Sequence, residues 1–181
     1  EEATKLLNSA APDFRPLIHA ALLTGCRWSE IRNLCVGDYN TLGNTLTIRN
    51  AKGKRDRSIP LTDEGAAFLE QHAAGRPTNA LMFPKEEGQW GEADQLRRMA
   101  ETCKTAGIPH IGFHGLRHTY GSLLAAASVP MAVIAEALGH ADTRMTERHY
   151  AHLAPSYIAT QIRTNLPTFS SAPAKVRGLR K

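Results

Sequence analysis

The sequence predicts an α+β domain, mostly helical, with one small antiparallel β-sheet. Apolar residues recur at helical spacing over several stretches of ten or more positions, while strand-like alternation is confined to Thr45–Ile48 and Arg57–Ile59. A composition of 42% hydrophobic and 22% charged residues over 181 positions suits a globular chain long enough to bury a core. From Asp13 to Gly25, residues Phe14, Leu17, Ile18, Ala21 and Leu22 make one buried helix face, with Asp13 as the expected cap and Gly25 as the stop. A short helix is expected from Trp28 to Cys35, turning Ile31, Leu34 and Cys35 inward. Thr45 to Pro60 reads as a β-hairpin around the glycine-bearing turn Asn50–Lys54.

Further helices are expected over Thr62–Ala74, capped by Thr62 or Asp63, and over Glu92–Ala106, which stops at Gly107. The helix Phe113–Ala127 has two stripes, one of Phe113, Leu116, Tyr120, Leu123 and Leu124, the other of His114, Arg117, His118 and Gly121. Pro130–Leu138 is a short helix closed by Gly139. Tyr150 is expected between helical segments, and a last helix from near Pro155 to about Thr164. Residues 1–165 are thus expected to fold as one domain. Residues 166–181, with four basic and no acidic residues, form a basic tail, flexible or docked on a partner subunit.

Composition removes several classes. Three cysteines with no C-x-x-C pair offer neither a disulfide framework nor a zinc ribbon. Apolar runs such as Ser122–Ala127 are far shorter than the roughly 18 residues of a membrane span. The acidic start, Glu1-Glu2, is unlike a secretory signal. The absence of a starting methionine suggests a piece of something longer. The net charge of +5 favours an acidic partner such as nucleic acid. It is concentrated: Arg49, Lys52, Lys54, Arg55 and Arg57 face Asp56 alone in the hairpin. That run is either a solvated turn or a surface that tracks phosphates.

Three islands carry chemistry. In Thr24-Gly25-Cys26-Arg27-Trp28-Ser29-Glu30, Arg27 stands at the start of a helix, and Glu30 one turn on can take a hydrogen bond or fix a partner. In His114-Gly115-Leu116-Arg117-His118, an imidazole and a guanidinium share one helix face, a pairing suited to a phosphate, with Gly121 leaving room for a ligand. A metal pair at His114 and His118 is the alternative, although the Glu of an H-E-x-x-H motif is absent. The third island is Leu138-Gly139-His140, Thr146 and Tyr150-Ala151-His152.

The ordered set Arg27…Lys52…His114-x-x-Arg117…His140…Tyr150 resembles the signature of the tyrosine recombinase (phage integrase) family, catalytic domain. The likeness runs from about Thr4 to Ile162. It includes Ala51-Lys52-Gly53-Lys54 with Ser58-Ile59-Pro60-Leu61 as the lysine hairpin, where counting back from Pro60 favours Lys52 over Lys54. Tyr150 follows His140 by ten residues, one more than is usual in the family, with His149 as the inserted neighbour. The resemblance implies a site-specific DNA recombinase or integrase. Tyr150 would attack a DNA phosphodiester to give a 3′-phosphotyrosyl link, without metal, ATP or other cofactor. Arg27 and Arg117 would clamp the phosphate, Lys52 would protonate the leaving 5′-oxygen, His114 would accept the tyrosine proton, His140 would donate to a phosphate oxygen, and Glu30 would orient the site. Arg49, Lys54, Arg55 and Arg57 would touch DNA. The implied partners are double-stranded DNA and other copies of the chain, a monomer when free and a tetramer on recombining DNA, in the cytoplasm of a bacterial host and away from membranes. The DNA-grasping domain that usually precedes the catalytic one has no counterpart in these residues. Other readings are type IB topoisomerase-like relaxation, a DNA-binding protein of the same fold without catalysis, and a metal-dependent nuclease built on His114 and His118.

Overall fold

A computed structural model describes residues 1–49, 56–86 and 88–153. Helices α1 (Glu2–Ser9), α2 (Arg15–Thr24) and α3 (Trp28–Ile31) precede a sheet of β1 (Tyr39–Asn40), β2 (Thr45–Ile48) and β3 (Arg57–Pro60). Then come α4 (Asp63–Ala73), α5 (Asp94–Ala106), α6 (Phe113–Ala126), α7 (Met131–Leu138) and α8 (Thr143–Tyr150). The sheet is antiparallel in the order β1-β2-β3, and Leu46 of β2 faces Ile59 of β3 across the hairpin. Among the described residues no helix is long and apolar enough to cross a membrane.

The main core is aromatic at its centre. Phe14 before α2, Trp28 on α3, Trp90 and Phe113 on α6 lie with ring centroids 4.9 to 6.3 Å apart, in the tilted and edge-on arrangements aromatic rings prefer. A second, smaller cluster joins Ala125, Ile134, Leu138 and Tyr150 from α6, α7 and α8. Helix α6 belongs to both, so its middle turns lie on the seam between them.

Several expectations are corrected. Asp13 does not cap α2; its carboxylate instead binds Arg98 at 2.6 Å. The helix opening at Trp28 ends at Ile31, not Cys35. Thr62, not Asp63, is the cap of α4, accepting from the Gly65 N–H. Leu123 is 64% exposed, so it leaves the apolar stripe of α6, and Arg117 and Gly121 take buried places instead. Helix α1 and strand β1 are additions. Tyr150 is the last residue of α8 rather than a point between helices. The expected helix after Pro155 and the tail 166–181 lie outside the described residues.

Candidate active site

The first wall of the site is built at the start of α3. Arg27 is its N-cap, and Glu30 at the third helical position reaches back to accept the Arg27 backbone N–H at 2.7 Å, one half of a capping box. The same carboxylate accepts from the Arg27 guanidinium at 2.9 Å. Burial alone would raise Glu30. Hydrogen bonds and charge from Arg57 and Arg27 outweigh that and hold it at about 2.

Arg57 corrects the expectation that it touches DNA from the surface. Its side chain is 8% exposed and grips both oxygens of Glu30 at 2.8 Å each. The reason is long-range: β3 enters the molecule beside α3, where a carboxylate waits. Arg49, at the other end of the hairpin's described part, is 70% exposed and binds Asp38 at 2.9 Å. Lys52, Lys54 and Arg55 lie outside the described residues.

Arg117 ties three boxes together from beneath. It is 2% exposed, donates to the Gly25 carbonyl at 2.9 Å, and donates to the Leu138 carbonyl. Gly25 precedes the Arg27 box and Leu138 precedes His140, so one guanidinium holds the backbone of both. Burial, and then the nearby charge of Arg27, bring Arg117 down to about 10. His140 shares a 2.8 Å hydrogen bond with the fully buried Thr146. Burial first, then Arg117 and Arg27, push its imidazole down to about 4. Arg27, Glu30, Arg57 and His140 line one open cleft of about 1510 Å³, and Arg27 and His114 share a smaller recess beside it.

The phenol of Tyr150 is 3% exposed, closed against α6. Its hydroxyl lies 3.0 Å from Nδ1 of His118. The imidazole beside the hydroxyl is therefore that of His118, one turn further along α6 than His114, to which the resemblance assigns the proton. His114 packs edge-on to His118, with centroids 4.8 Å apart, and His149 also packs edge-on to His118 at 5.4 Å. The space left by Gly121 is likewise filled from within, since a Cβ there would come 2.5 Å from Cζ of Tyr150. Burial raises the Tyr150 hydroxyl, with Arg117 opposing, so in the free chain the phenol is not activated by the cations. His118 is lowered by burial and then by His149 and Arg117. Both shifts favour the uncharged forms, a neutral phenol beside a neutral imidazole. The sequence signal for His118 was its place four residues after His114, on the same face.

Residues 1–156 match the model of the Phage integrase family. The integrase of Escherichia phage 186 is 30% identical over 154 residues, covering 85% of this chain and 42% of that protein. The solved catalytic domain of bacteriophage HP1 integrase is 28% identical, with a TM-score of 0.66 and 91% of each chain covered. The XerH site-specific recombinase, solved in a pre-cleavage complex with difH substrate, is 25% identical with a TM-score of 0.67, covering 82% of this chain and 48% of that one. The chain thus spans less than half the length of the phage 186 integrase. A match that passes through every helix and strand lining the cleft makes this chain a member of the phage integrase family.

Proposed function

We propose that this chain is the catalytic domain of a site-specific DNA recombinase that cuts and rejoins double-stranded DNA through a 3′-phosphotyrosine at Tyr150. The observation that carries this reading is Arg117, whose bonds to Gly25 and Leu138 draw the Arg27 and His140 boxes to one cleft, with Tyr150 packed against Gly121 one turn further along the same helix. In the reaction, the Tyr150 oxygen bonds to phosphorus and the bond from phosphorus to the 5′-oxygen breaks. His118 takes the phenolic proton, and Lys52 supplies one to the departing oxygen. Arg27, Arg117 and His140 meet the non-bridging oxygens, where charge builds in the transition state. Thr146 engages Nδ1 of His140, so the phosphate contact falls to Nε2. A free 5′-hydroxyl from a second strand reverses the step, and the phosphodiester energy is kept in the tyrosyl link, so neither ATP nor a metal is consumed.

The DNA partner is supported by the relative solved on its difH substrate, and by Arg49 and His140 lining the same open cleft. Strand exchange between two duplexes calls for four copies of the chain on DNA, acting in the cytoplasm of a bacterial cell. The phenol must leave its buried place for attack, so duplex binding has to shift the last turn of α8.

The test is a pool of singly nicked duplexes of randomised sequence. The expected result is a covalent protein–DNA complex that survives detergent and EDTA, maps to Tyr150 by mass spectrometry, and vanishes in Tyr150→Phe. Duplex binding without any adduct would instead fit a DNA-binding protein of this fold, and loss of activity in EDTA a metal nuclease.

A further inference from the structure

Arg57 is a buried cation that the chemistry above does not use. It opens β3, paired in register with Ile48 of β2. Its guanidinium forks onto both oxygens of Glu30 at 2.8 Å, a geometry that fixes direction as well as distance. Glu30 in turn holds the backbone and side chain of Arg27. On its other side, Arg57 Nε donates to the Ala137 carbonyl in the last turn of α7, at 3.2 Å. Its stem lies over Gly139, where a Cβ would come 2.9 Å from Cδ and 3.0 Å from a terminal nitrogen of Arg57. The next residue is His140. One side chain thus touches the supports of both cleft walls, the Arg27 wall through Glu30 and the His140 wall through Ala137 and Gly139.

Charge makes the same point. Arg27 and Glu30 alone would cancel, leaving a cleft wall of little use to an anion. With Arg57 bound to the same carboxylate, the group of three keeps one net positive charge, and the exposed member is Arg27. We propose that Arg57 is a positioning residue for strand transfer, tying the sheet to both cleft walls and keeping the charge of Arg27 available to the phosphate being cut. The proposal rests on the reading given under Proposed function. A lysine would keep the charge and lose the fork, so Arg57→Lys is not a conservative change here.

The experiment measures adduct formation on the nicked duplex recovered from the random pool, at saturating DNA, beside duplex affinity and thermal melting. Arg57→Met is expected to slow adduct formation by about a hundredfold, as loss of alignment in a site can. Removing one partner of a buried pair can also unfold a chain, so the deciding variant is Arg57→Met with Glu30→Gln, which removes both buried charges together and leaves only the more exposed Arg27 charged. That double variant restores the charge balance but not the ties. It is expected to fold, to bind duplex within about threefold of wild type, and to form adduct about tenfold more slowly. A double variant that reacts at the wild-type rate overturns the proposal, as does one whose slower rate merely follows lost affinity or a lost fold. A wild-type chain that forms no adduct overturns the strand-transfer reading itself, and the proposal with it.

Discussion

In the proposed reaction, His118 and Tyr150 form the pair through which a proton leaves the nucleophile. The imidazole is depressed by burial and by the charges of His149 and Arg117, while the phenol is raised by burial, so both are neutral near pH 7. His114 faces the same ring from the preceding turn and is likewise lowered, by burial and then by His118. Only a neutral His118 can accept, so adduct formation should fall as pH drops below the ordinary histidine range and the ring becomes charged. His118→Asn should slow the reaction by about a hundredfold at pH 7.5, a usual loss for a proton acceptor. It should also flatten the acid limb of the rate profile, read from initial rates between pH 5 and 8. A variant that keeps the wild-type acid limb would point back to another group.

Helices α6, α7 and α8 decide whether these side chains meet at all. Arg117 joins α6 to the ends of α2 and α7 by donating to the carbonyls of Gly25 and Leu138, two acceptors that a lysine cannot fork between. Arg117→Lys is expected to cost about 1–3 kcal/mol by leaving a buried carbonyl without its donor. Urea melts would read that loss, and adduct formation should disappear alongside it. Glycine stops made the ends of α2, α5 and α7 legible in the sequence, at Gly25, Gly107 and Gly139. Helix α8 was hidden because Thr143–Tyr150 is polar almost throughout, with Thr146 and Tyr150 alone turned inward, four residues apart. Helix α1 was hidden for a related reason, since Leu6 is its one buried residue. Arg27, Arg117, His140 and Tyr150 stood out by type and order. The roles of Arg57 and His118 did not, because each depends on a partner brought from far along the chain: Glu30 for one, the end of α8 for the other.

Across the whole molecule the histidines and the Glu30 carboxylate set an acid limit on stability. His140 is held near 4 in the folded chain against an ordinary 6.5, so the unfolded chain takes up its proton first. His114 and His118 are displaced in the same direction. Stability should therefore be lost as pH falls from 6.5 toward 4, with no matching loss above 6.5 from these groups. Glu30 acts lower down: held at about 2 against 4.5, it stabilises above 4.5 and gives that up as pH falls through 2. Melting temperatures at pH 7.5, 5.5 and 4.5 should decline in that order, and a rise on acidification to 5.5 would contradict the assignment.

Among the described residues the smaller apolar cluster has four buried members, and Tyr150 is one of them. The residue proposed to act as the reagent is therefore also a brick. Each turnover would pull a large ring out of the packing between α6, α7 and α8, and rejoining the DNA strand would let it drop back. The covalently linked form is then the looser of the two, and the regained packing is a small, built-in pull toward releasing the DNA intact.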